Sequence, residues 1–81
     1  MEITSARFSI SAGGCVIYTQ LCTFGGGVVQ LPEIPSSETE NWPDLVTWGV
    51  KINRVGQVAR EYVIGSYTLT ATPQPKKATL P

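Results

Sequence analysis

An all-β fold is predicted, a small antiparallel sandwich or open barrel of about six strands with an extended Pro-rich C-terminal arm. Three features carry that prediction. Apolar and polar residues alternate with period two over 4–12 and again over 46–53, the signature of half-buried strands. β-branched and aromatic residues crowd the segment 15–24 and recur through 58–71. Glycine clusters at Gly13-Gly14 and Gly25-Gly26-Gly27 punctuate these runs where hairpins need turns. The expected organisation is a single all-β domain over residues 1–72, with an acidic connecting loop at 32–44 and an extended tail at 73–81. With 81 residues and 42% apolar composition, a thin but real core is expected.

Taken in order, Ala6, Phe8, Ile10 and Ala12 share one face of the first strand, and Ser5, Arg7, Ser9 and Ser11 the other. A turn at Ser11-Ala12-Gly13-Gly14 leads into a second strand from Cys15 to Phe24. Pairing Ile10 with Cys15 and Phe8 with Ile17 gives both faces a sensible chemistry. That strand separates Cys15 from Cys22 by seven steps of about 3.3 Å, beyond disulfide reach, so two reduced, buried thiols are expected. The Gly25–Gly27 triplet is followed by Val28-Val29-Gln30-Leu31 and not by a helix, which favours a hairpin loop over a phosphate cradle. In the acidic connection, Ser37 and Glu40 fit a capping box, and Pro43 limits any helix to about one turn. Trp42 there is read as an anchor for the loop ahead of a partner contact.

Val46, Trp48, Val50 and Ile52 define the core face of the next strand. A five-residue loop at 53–57 sets Ile52 opposite Val58 and Trp48 opposite Tyr62. The apolar parity then flips, from even at Tyr62 and Ile64 to odd at Tyr67, Leu69 and Ala71. A two-residue Gly65-Ser66 hairpin explains the flip and predicts a sixth strand over 67–71. A helix over 55–64 is the second choice. Arg60 falls on the apolar face, where its guanidinium would stack on an aromatic ring at the rim.

Much chemistry is excluded. The chain contains no His, which removes the Ser-His-Asp and Cys-His nucleophile systems and His-ligated zinc or haem. Glu38, Glu40 and Asp44 lie in a loop, not on rigid strand ends, and show no calcium-loop spacing. No enzyme activity, cofactor, metal or small-molecule substrate is expected. No apolar run reaches the ~18–20 residues of a membrane helix, so no membrane partner is expected. The start Met1-Glu2-Ile3-Thr4-Ser5 lacks the basic and apolar regions of a signal peptide. Cytoplasmic synthesis, followed by incorporation in a virion or similar particle, is the expected location.

Charge order says more than charge total. Six Lys and Arg balance six Asp and Glu. Yet residues 1–50 carry Arg7 against Glu2, Glu33, Glu38, Glu40 and Asp44, and residues 51–81 carry Lys51, Arg54, Arg60, Lys76 and Lys77 against Glu61. Complementary patches of this kind dock copies head to tail. The candidate interface is therefore Glu33, Glu38, Glu40, Trp42 and Asp44 with Lys51, Arg54, Lys76 and Lys77. The expected function is a small non-enzymatic interaction protein that docks on copies of itself or on a larger protein array. Its low charge, Thr-rich strands and terminal arm are similar in composition to accessory proteins of virus particles, such as capsid cement or tail components. The alternative is an inhibitor or regulator that binds a host enzyme through its acidic loop. A module for single-stranded nucleic acid ranks third, because a neutral chain has little counterion-release drive.

Overall fold

The computed structural model describes residues 2–72 and 74–80, and of Val63 the backbone alone. Pro73 and Pro81 of the expected tail lie outside the described residues. Six antiparallel strands form one sheet, in the order β5-β4-β1-β2-β3-β6, curled into a half-barrel. The strands are β1 (Ile3–Ala12), β2 (Cys15–Gly25), β3 (Val28–Gln30), β4 (Leu45–Arg54), β5 (Arg60–Thr68) and β6 (Lys77–Thr79), with one helical turn, α1 (Ser36–Thr39).

The alternating segments behave as their patterns require. Ala6, Phe8 and Ile10 of β1 and Val46, Trp48, Val50 and Ile52 of β4 are all buried on the concave face. Opposite partners are Ala6 with Ile52, Phe8 with Val50 and Ile10 with Trp48. The Phe8 and Trp48 rings meet at 6.2 Å in a tilted arrangement, a favoured aromatic geometry.

The β1–β2 register differs from the expected one. Gly13 and Gly14 both adopt positive φ, at 59° and 82°. They complete a two-residue turn that sets Ala12 opposite Cys15, because two left-handed residues match the twist of the flanking strands. A bulge at Ile10/Ser11 then shifts the ladder, so Ile10 faces Tyr18 and Phe8 faces Gln20. Ile17 and Leu21 consequently lie on the outer face, the latter 60% exposed. Cys15 is exposed and Cys22 half-buried, both as free thiols, so the expectation of two buried thiols is corrected for Cys15.

The second half holds the larger correction. Residues 55–59 form a loop, with neither the 55–64 helix nor a strand beginning at Val58. β5 pairs Ile52 with Arg60, Val50 with Tyr62, Trp48 with Gly65 and Val46 with Tyr67. The strand passes straight through Gly65-Ser66, and a bulge at Trp48/Gly49 supplies the parity flip that a hairpin would also give. A bulge and a two-residue turn leave the same mark on sequence parity. Packing selects the bulge: a Cβ on Gly65 would stand 3.3 Å from Nε1 of Trp48, so the bare glycine backbone accommodates the indole.

No separate strand forms over 67–71, because Tyr67 and Thr68 are the last residues of β5 and a turn follows them. Instead the tail supplies the sixth strand, and the exposed C-terminal arm is not found. Lys77 pairs with Gln30, Ala78 with Val29 and Thr79 with Val28. Ala78 is buried and Leu80 packs on the core. An edge position suits this Pro-flanked segment, since one side needs no ladder donors.

Of the connection over 31–44, Leu31 and Ile34 are buried in the core. The Ile34 N–H donates to Oε1 of Gln74 at 3.1 Å, and Nε2 of Gln74 donates to the Pro32 carbonyl at 2.6 Å. The helical turn is as short as Pro43 predicts, but it opens at Pro35 without a side-chain cap, so the Ser37–Glu40 box is not formed. Trp42 packs against the core, its ring 5.7 Å from that of Tyr18, which agrees with the anchor reading.

Candidate functional site: two charged ends and an open strand edge

β4 runs from the acidic connection to the basic loop, and its ten residues span about 33 Å at 3.3 Å each. Asp44 stands just before its first residue and Arg54 is its last. Glu38 and Glu40 are exposed on and after the helical turn near the first end. Arg54 and Arg60 gather at the other end, because the register sets Arg60 opposite Ile52. For Asp44 against Arg54 and Arg60, charge separation along the chain thus becomes charge separation along the strands.

Each acidic residue has a distinct setting. Oδ1 of Asp44 accepts bonds from the Thr70 N–H and hydroxyl at 3.0 and 2.9 Å. The Asp44 carbonyl accepts from the Leu69 N–H at 2.9 Å. This carboxylate therefore organises the turn that leaves β5. Glu33 is exposed and lines an open cavity with Leu31, Ile34, Tyr67, Gln74 and Lys76. Glu33 and Lys76 are thereby brought to one cavity rather than to opposite patches.

Among the basic residues, Lys51 lies on the outer face between Arg7 and Glu61 in the ladders. Lys77 sits on the short edge strand β6, opposite Gln30, and does not line the cleft formed by Arg54 and Arg60. Arg54 donates from Nη1 to the Tyr62 hydroxyl at 3.5 Å. The Arg60 guanidinium stands over the Tyr62 ring, 5.9 Å from its centroid, as its place on the apolar face predicts. Tyr62 is thus flanked by two cations. The Arg54 hydrogen bond, followed by the contribution of Arg60, holds its phenol below the ordinary tyrosine value despite an opposing effect of burial. Arg60 and Tyr62 complete this cluster, and only the register reveals the Arg54–Tyr62 contact.

The remaining feature is an edge. Among the described residues β5 pairs with β4 alone, so one side of its nine residues presents unpaired backbone N–H and C=O groups. It contains no Lys and no Pro, the usual edge protection. Its charged residues, Arg60 and Glu61, stand at its first end, and a bulge at Ile64 disturbs the flat edge in its middle. Ile64 and Leu45 add exposed apolar surface along it, at 37% and 62% exposure.

Among the described residues, no group of three or more His, Cys, Asp or Glu could hold a metal ion. No helix among them is long and apolar enough to cross a membrane. Comparison with protein-family models, curated proteins and solved structures returns no match.

Proposed function

We propose that this protein is a small non-enzymatic interaction protein that docks on a second copy of itself through the β5 edge. The observation that carries the reading is the nine-residue β5 edge, unpaired among the described residues and free of Lys and Pro. Backbone groups on such an edge gain partners when another strand is added.

Charge placement favours antiparallel addition of two β5 edges. An antiparallel pairing brings the Arg60 end of one copy toward the Thr68 end of the other. Asp44 lies beside Thr68, through its carbonyl bond to Leu69. Each basic end would then meet an acidic end, twice over, as a two-fold interface requires. An accessory role in a virion or similar particle is a further step, supported by composition alone.

Native mass spectrometry across a salt series tests the reading. A dimer that weakens as salt rises is expected, because the paired ends are screened within about a Debye length. Ser66→Lys puts a charge on the middle of the edge and should shift the population to monomer. A monomer at every salt and concentration, or a dimer indifferent to Ser66→Lys, overturns edge docking.

A further inference from the structure

The loop at 55–59 borders an open cleft of about 420 Å³ with the ends of β4 and β5, lined by Ile52, Arg54, Gln57, Val58, Arg60 and Tyr62. We propose that this cleft is an oxyanion site in which Arg54 and Arg60 bind a phosphate-type dianion beside Tyr62. The inference goes beyond edge docking and is tested apart from it, by ligand binding and not by oligomeric state; the two share Arg60, the first residue of β5, but not Arg54, which lies on β4.

The geometry leaves both guanidinium groups with donors to spare. Arg54 uses one N–H on the neutral Tyr62 hydroxyl, at the long distance of 3.5 Å. Arg60 engages the same residue through the face of its ring. A guanidinium carries five N–H donors in a planar fork. Neither is ion-paired with a carboxylate among the described residues. Glu61, the nearest acidic residue in sequence, is opposite Lys51 on the other face of the sheet. Glu2, at the same end of the sheet, accepts the Val55 N–H through its backbone carbonyl.

Two cations brought to one tyrosine repel each other, and an anion between them reverses that repulsion. A dianion matches the pair in charge, and guanidinium forks match the oxygen spacing of phosphate. Gln57 adds an uncharged donor on the loop side, held by a turn in which its N–H bonds to the Arg54 carbonyl at 3.2 Å. Gly56 shapes that turn with a φ of 72°. Ala59 and the 92% exposed Val58 supply apolar surface beside the cations. The shared chemistry is a phosphoryl dianion, either free or carried on a small apolar body.

Carbon-13 NMR of the full chain with labelled tyrosine rings provides the test, at pH 8 and constant ionic strength. Inorganic phosphate and phenyl phosphate are titrated separately. The Tyr62 resonance is expected to move with saturation while those of Tyr18 and Tyr67 stay in place. Tighter binding of phenyl phosphate assigns the apolar wall to an organic body, and equal binding assigns the site to free phosphate. Bound dianion should also raise the Tyr62 phenol titration, because it offsets the two cations. Arg54→Gln and Arg60→Gln should each weaken binding about tenfold, as loss of a charge-assisted contact implies. Lys77→Gln should leave it unchanged. A Tyr62 signal that neither ligand moves overturns the proposal. So does a loss in Lys77→Gln equal to that in Arg60→Gln, which would indicate general attraction to positive charge. Unchanged Tyr18 and Tyr67 signals in each variant show that the fold is retained.

Discussion

Replacing Asp44 by Ala removes one carboxylate oxygen that accepts two bonds from Thr70, at 3.0 and 2.9 Å. Such a bond contributes about 0.5–1.5 kcal/mol net between neutral groups and about 1.5–3 kcal/mol to a charged one, less where water competes. Both bonds are exposed, so the pair together is expected to stabilise the fold by about 1–2 kcal/mol. A domain of 81 residues has a total stability of about 4–12 kcal/mol, which makes this loss readily measurable. Since 1 kcal/mol moves the midpoint of a domain this size by about 4–8 °C, Asp44→Ala should lower Tm by about 4–16 °C. Asp44→Asn keeps an oxygen acceptor in place and loses only the charge, so it should lower Tm by less than half as much. Thermal unfolding followed by circular dichroism measures both. Equal losses in the two variants would refute a hydrogen-bonding role, and an unchanged Asp44→Ala would refute a structural role altogether. The contrast also separates the turn from the interface, because Asp44→Asn removes the charge that a docking role would need.

Phe8→Ala empties a site with no exposure beside Trp48 and should cost about 3–5 kcal/mol; a loss under 1 kcal/mol in urea unfolding would contradict its central place. Gly65→Ala forces a Cβ to within 3.3 Å of the Trp48 indole and should cost about 1–3 kcal/mol, whereas Gly25→Ala meets nothing within 4 Å and should cost less. Burial pushes the Cys22 thiol above its ordinary value, despite lowering effects of the Phe8 backbone and Arg7, while Cys15 is exposed. Iodoacetamide should therefore label Cys15 first, and mass spectrometry showing equal rates would count against that burial. Burial also raises the Tyr67 phenol, so its stabilising contribution is complete below the unfolded value near 10 and is lost as pH rises through the folded value. Tyr62 acts in the opposite sense, gaining stability as pH rises through its lowered value. Tyr67→Phe should accordingly reduce the alkaline fall in urea stability, and an unaltered pH slope would exclude Tyr67 as its source.

Sequence periodicity fixed much of the architecture because each strand records its own buried face. The all-β class, the core faces of β1 and β4, the glycine turns and the short helix were all legible from local residues. The candidate site was legible only in part. Arg60 could be placed on the apolar face beside an aromatic ring, but its company with Arg54 depends on a two-residue shift of register. The glutamates of the connection were visible as a charge run, whereas the bonds from Asp44 to Thr70 join positions 26 apart.

What the amino-acid sequence determined by itself was alternation, turn chemistry and the order of charge. Tertiary structure decided where alternation is interrupted and which strands close the sheet. At Gly65 a bulge and a hairpin have the same parity signature, and the choice belongs to Trp48, whose indole occupies the space that a Cβ would crowd. At the C-terminus, the short Lys77–Thr79 segment carries too little pattern to announce a strand. It becomes one because β3 offers unpaired backbone groups and the core receives Ala78. Local pattern specifies a face, but pairing requires a partner, and the partner exists only once the remainder of the sheet has formed.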